Sequence, residues 1–220
     1  ADDTRAEPIR TVNISRAAAH FRPRDALAYR RDLARKFTFS VLSQVFIHQE
    51  VHGDLHPGNV MVDASGTLHL IDWGNTVQLA GKVAPVWRYL RGALTADADA
   101  VTDALIAICT DPAAAMARRA EIREALARTL HKKQIRPLGR WFAWTLALEG
   151  PDGWLQRAHL LGQLMSNTQH LGLVVRGEYL HLSRSASAML GTLGSLYKEM
   201  PPGRVAADLL WALNSFPARA

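Results

Sequence analysis

Apolar positions divide the chain into one early helix, a short β segment and a long helical remainder. From Asp25, a plausible N-cap, Leu33, Phe37, Val41, Leu42 and Val45 recur at three- and four-residue steps, which predicts a helix to about Ile47. Residues 1–24, broken by Pro8 and Pro23, read as irregular, with room for one short strand over Ile9 to Ile14. The stretch Val51 to Val60 is too rich in Gly and Pro to be helical. Two short strands, Val60–Asp63 and Leu68–Ile71, flank Ala64-Ser65-Gly66 and predict a β-hairpin. After Gly74 no further strand pattern stands out. Helical periodicity covers roughly 82–94, 98–109, 112–131, 136–148, 153–170, 178–198 and 204–214. The expected fold is therefore mainly α with one small β-hairpin.

Composition narrows the picture only modestly. The 220 residues are 48% hydrophobic and 21% charged, as in a soluble globular protein. The net charge of +6 is diffuse, with no basic run that would mark a nucleic-acid partner. The one cysteine, Cys109, excludes an intrachain disulfide and a Cys-rich zinc site. The polar start Ala1-Asp2-Asp3-Thr4-Arg5 is followed by no apolar secretory segment. Trp141 to Leu148, the most apolar stretch, falls far short of the roughly 18 residues of a transmembrane helix. Trp141, Trp144 and Trp154 read as core or as an interfacial patch.

The chemistry concentrates between His52 and Gly74. Asp54 and Asn59 share one loop, and Asp72 follows the hairpin. A hairpin returns the chain to its starting end, so the two loops should meet. An Asp carboxylate with an Asn carbonyl suits the hard cation Mg²⁺, and a second Asp near the acceptor can orient or deprotonate a hydroxyl. The kinase pattern H-R-D-x-x-x-x-N followed by D-F-G has this order and spacing. Here the strings are His52-Gly53-Asp54 with Asn59, and Asp72-Trp73-Gly74. Pro57-Gly58 shapes the turn, and His56 either contacts phosphate or pins the loop by a hydrogen bond. His48, Glu50 and His52 lack the spacing of a zinc protease, and Gly191 and Gly194 read as helix packing.

His52-Gly-Asp-Leu-His-Pro-Gly-Asn59 and Ile71-Asp-Trp-Gly74 resemble the signature of the UbiB/AarF atypical kinases. The likeness extends over roughly residues 30–205, through FSVLSQVFIHQEV at 39–51, Val77 to Ile108 and Leu171 to Pro201. It implies a protein-kinase-like C-lobe over 25–220, with a catalytic loop at 52–59 and a metal loop at 72–74. It implies Mg²⁺ and ATP as cofactors and an ATP-dependent phosphotransferase or ATPase linked to ubiquinone and isoprenoid-lipid metabolism. Asp54 would be catalytic, Asn59 and Asp72 would hold Mg²⁺, and His52, His56, Gly58 and Gly74 would support the loops or contact phosphate. The implied setting is cytoplasmic, peripheral to a membrane.

The family more often has Ala-Asp-Pro where this chain has Gly53-Asp54-Leu55, and Phe-Gly-Met where it has Trp73-Gly74-Asn75. These spellings also resemble small-molecule phosphotransferases of the aminoglycoside and choline kinase type. Their cationic substrates call for acids beside the metal loop. Between Asp72 and Asp97 there is none, only Lys82, Arg88 and Arg91. A third reading is a non-catalytic binding or scaffold protein. Only about 24 residues precede the first helix, and no Lys precedes Lys36. The expectation is a C-lobe whose N-lobe is missing, catalytically silent alone, with apolar surface near Val51, Leu55 and Trp73 open to a partner chain, a second copy or a lipid surface.

Overall fold

The computed structural model describes residues 10–79, 83–132 and 142–215. Its first long element is α2 (Ala26–Ser43), which begins where Asp25 accepts a capping bond from the Ala28 amide at 2.9 Å. The three- and four-residue apolar spacing becomes a buried stripe of Leu33, Ala34, Phe37 and Val41. A π-helical turn over Gln44–His48 follows, and Gln49 in the left-handed region (φ 52°) turns the chain into β2 (Glu50–His52).

The hairpin forms as expected from β3 (Val60–Asp63) and β4 (Leu68–Leu70), with Val60 opposite Leu70 and Val62 opposite Leu68. Asp63 locks its turn by accepting bonds from the Ser65 hydroxyl and amide, the Thr67 amide and the His69 ring. Those bonds, the Ser65 hydroxyl first and then His69, hold its carboxyl well below the usual carboxylate range.

The β structure exceeds the expected single hairpin. β1 (Thr11–Asn13) pairs antiparallel with β3, giving a three-stranded sheet of order β1-β3-β4. β5 (Thr76–Gln78) pairs with β2, with His52 opposite Thr76. β1 is the short strand expected over Ile9 to Ile14; the rest of the segment read as irregular contains a 3-10 turn and the short helix α1 (Ala17–Phe21), with Ile14 and Ala17 buried against Leu33 and Phe37. The three residues of β5 and the five of α1 are too few to show a period. Their partners, contributed from elsewhere in the chain, stabilise them.

The helical remainder comprises α3 (Val83–Thr95), α4 (Ala98–Ile108), α5 (Pro112–Ala117), α6 (Arg119–Lys132), α7 (Phe142–His170), α8 (Gly177–Leu196) and α9 (Pro202–Ser215). The helix expected over 112–131 is broken at Arg118, whose guanidinium bonds Glu121 and the Leu171 carbonyl. The two helices expected over 136–148 and 153–170 are present as the two arms of α7, separated at Gly150, whose backbone (φ 64°, ψ −167°) is not helical, while 136–141 lie outside the described residues. Buried Arg157 reaches back across the bend to Glu149 at 2.7 Å.

α8 joins two cores. Its Tyr179 packs with α3, α4, α6 and α7, while its Leu193 and Leu196 pack with α2, α9 and the β-sheet. Asp208 of α9, almost fully buried, takes a two-pronged bond from Arg31 of α2 at 2.7 and 2.8 Å. Cys109 is buried and unpaired, Trp144 is exposed, and Trp141 and the Trp154 side chain lie outside the described set. No described helix is long and apolar enough to cross a membrane.

Candidate functional site

The site is built on a backbone seam between the loop after β2 and the loop before β5. The Gly53 amide donates to the Asn75 carbonyl at 2.8 Å, and the Ile71 amide donates to the Asn59 carbonyl at 3.1 Å. His52, fully buried, adds a side-chain stitch: one ring nitrogen, Nε2, donates to the Ile71 carbonyl at 2.8 Å. Its other nitrogen, Nδ1, accepts from the Asp54 amide at 3.1 Å. A carbonyl only accepts and an amide N–H only donates, so these two bonds fix the tautomer with the proton on Nε2. The indole of Trp73 lies against this imidazole, ring centroids 5.0 Å apart.

Helical elements hold the seam from behind. Gln44 in the π-helical turn accepts from the His52 amide through Oε1 at 2.8 Å. Ser185 of α8 donates its hydroxyl to the His52 carbonyl at 2.9 Å and accepts from the Leu55 amide at 3.3 Å. Neither Gln44 nor Ser185 stood out in the sequence. A serine 130 residues beyond the loop it braces leaves no local pattern.

Each residue expected at the site has a definite place. Asp54 is half-exposed, and its backbone carbonyl accepts the Asn59 side-chain amide at 2.9 Å. That bond uses a donor of Asn59, so the amide oxygen is the atom left to face a cation. His56 does pin the loop: its Nδ1 accepts from the Gly58 amide at 3.0 Å. Its Nε2 stands 3.8 Å from Asp54 Oδ2, a charge neighbour and not a hydrogen bond. Gly58 is required by that turn, because a Cβ there would lie 2.7 Å from the His56 ring. Asp72 is exposed, takes the left-handed conformation (φ 60°, ψ 61°) and makes no capping bond to the turn it precedes. Few residues other than Gly, Asn and Asp adopt that conformation readily. A Cβ on Gly74 would approach Asp72 Oδ1 to 3.5 Å, an ordinary contact.

Among the described residues no group of three or more His, Cys, Asp and Glu side chains gathers as a metal site. A cation here would rest on Asn59 and Asp72, completed by phosphate oxygens and water, a donor set of hard oxygens that fits Mg²⁺. Lys36 plays no part in the loops: its ammonium bonds the Gly66 carbonyl at 2.9 Å and pairs with Asp32.

Residues 12–105 match the family model of the ABC1 atypical kinase-like domain. The matched segment runs from β1 into α4 and includes both loops, so the resemblance to the UbiB/AarF-type atypical kinases holds where it is most specific. The mainly α architecture with a small antiparallel strand set is consistent with that kinase-like fold. No curated protein and no solved structure matches the chain.

One expectation is corrected. Val51 and Leu55 are not surface: they are 3% and 1% exposed, packed into separate cores on either side of the loop. Trp73 is 46% exposed, as expected. Backbone turns point Leu55 inward and leave the neighbouring Asp54 outward, so an apolar residue in a polar loop anchors it to the core. Arg88 and Arg91 of α3 are exposed, and Lys82 lies outside the described residues.

Proposed function

We propose that the two loops bind MgATP and that the chain serves an ATP-dependent phosphotransferase or ATPase of UbiB/AarF type, acting in ubiquinone or isoprenoid-lipid metabolism at a membrane surface. The observation that supports this reading most is the double seam, Gly53 to Asn75 and Asn59 to Ile71, because it brings the backbones carrying Asp54, Asn59 and Asp72 to one edge. Asn59 and Asp72 would hold Mg²⁺, which when bound would supply positive charge to offset that on the phosphates. Asn59 would offer its amide oxygen and Asp72 its carboxylate. Asp54 would orient the acceptor hydroxyl or water and accept its proton as the phosphoryl group moves. His52 would hold the two loops in register, and His56 would remain beside Asp54 to meet phosphate.

A cationic acceptor of the aminoglycoside or choline type is disfavoured by the acid-free stretch from Asp72 to Asp97 and by exposed Arg88 and Arg91. The scaffold reading is separated by titration calorimetry. Heat on adding MgATP, absent with Asp72→Asn, supports the nucleotide site. Absence of both heat and thermal shift in the wild type favours the scaffold.

A further inference from the structure

Beneath the loop after β2, between α2, α3 and α8, lies a cavity of about 130 Å³. Val41 and Phe46 form one wall, Val86 and Trp87 a second, and Leu182 and Ala186 a third. Val51 of β2 and Leu55 of the loop close the top. The wall is almost wholly carbon. Its few polar groups are already paired: the Tyr89 phenol bonds Ser183, and the Ser185 hydroxyl bonds the His52 carbonyl and the Leu55 amide. Water held in a protein cavity needs two to four polar partners, and an apolar cavity near 150 Å³ stays dry and takes up benzene. The mouth is marked by Phe46 and Trp87, which meet edge to face at 6.0 Å, with Trp87 44% exposed.

We propose that this cavity is a binding site for a small apolar molecule about the size of one aromatic ring, entering past Phe46 and Trp87 and seated against Val51 and Leu55. Size and lining select the ligand: a polar group would lose its water without gaining a partner. Met165 and Met189 in the wall adapt to an irregular shape. The site sits on the same residues that anchor the loop, so an occupant packs directly under Leu55. It stands whether or not the loops bind nucleotide, since no charged or phosphate-binding group lines it.

The test uses the 220-residue chain without nucleotide, with toluene as the probe. Toluene should raise the wild-type melting temperature saturably, by about 2 °C or more. It should also slow hydrogen exchange of the Leu55 amide. Two variants fill the space from different walls, Ala186→Leu and Val86→Phe. Each that melts cooperatively should show no toluene-dependent rise, and two variants keep the test decisive if one misfolds. No rise in the wild type overturns the proposal. So does an undiminished rise in the filled variants, which would place toluene elsewhere. Loss of MgATP binding leaves the outcome untouched, so the two readings fail separately.

Discussion

Replacing Gly53 by Ala tests the seam between the loops most directly. A Cβ at this position would lie 2.1 Å from the Asn75 carbonyl oxygen, with Val77 and His181 side-chain carbons at 3.2 Å on either side. Approach inside 3.0 Å is not seen for real Cβ atoms, so the carbonyl must retreat by about 0.9 Å. That retreat stretches the 2.8 Å Gly53–Asn75 bond beyond hydrogen-bonding range and pulls β5 away from β2. Overpacking costs about 1–3 kcal/mol and the lost bond about 1 kcal/mol, so the variant should lose about 2–4 kcal/mol. In urea this appears as a lower midpoint at an unchanged slope. Because Asp54 and Asn75 flank the displaced seam, MgATP heat should fall as well. Gly74→Ala is the control, since its Cβ meets only Asp72 Oδ1 at 3.5 Å. That variant should stay within about 0.5 kcal/mol of wild type. A Gly53→Ala protein as stable as Gly74→Ala would refute the seam as described.

Asp72→Asn keeps the shape and removes the carboxylate assigned to the cation. MgATP affinity should drop at least about tenfold, roughly 1.4 kcal/mol, and equal affinity by calorimetry would sink the assignment. In a chain competent for turnover, Asp54→Asn should preserve MgATP binding and lower kcat; collapsed binding with normal residual kcat would mean the two Asp roles are exchanged. Ser185→Ala leaves the buried His52 carbonyl and Leu55 amide without their partner and should cost about 1–3 kcal/mol in urea unfolding, whereas a neutral result would show that α8 does not brace the loop. Asp63 has its carboxyl pKa depressed by the hairpin turn, so its contribution is present above the unfolded value near 4 and is lost as pH falls towards the folded one. The stability gap between wild type and Asp63→Asn should therefore be constant from about pH 7 to 5 and close in stronger acid; a gap as large at pH 3 as at pH 7 would contradict it.

What could be read from the sequence follows the range of the interactions. The start of α2 is legible because Asp25 and its capped amide are three residues apart, and the stripe from Leu33 to Val41 repeats over two turns. The β3–β4 hairpin is legible because Asp63, Ser65 and Thr67 form one local turn. β5 is not, because the polar-apolar-polar Thr76-Val-Gln78 is too short to stand out as a period and becomes a strand only on meeting Glu50–His52. β1, by contrast, falls within the Ile9 to Ile14 stretch that allowed a strand, and Val62 and its neighbours complete it. At the site, residue types and spacing identified Asp54, Asn59 and Asp72, but the braces Gln44 and Ser185 carry no such signal. The break at Gly150 is legible from Gly150-Pro151, but the Arg157–Glu149 pair that joins the two arms across it carries no local signal.

Of the four positions that depart from the UbiB/AarF spelling, Gly53 and Asn75 meet through their backbones. The Asn75 carbonyl occupies the space a Cβ at position 53 would fill, and the same carbonyl accepts the Gly53 amide. A chain with Ala at this position cannot hold its second loop at this distance. Glycine therefore draws β5 tight against β2, while Ile71, bonded to both His52 and Asn59, fixes the start of the metal loop to the first. Asp54 lies between Gly53 and Leu55, and Asp72 immediately follows Ile71, so both acidic positions sit beside stitched backbone. Their side chains stay solvent-accessible on this supported frame. Such a frame carries ligand groups with little reorganisation, which is what phosphoryl transfer asks of a protein whose contribution is positioning and electrostatics. The close seam makes the site sensitive to a single methyl group at position 53 while leaving position 74 tolerant.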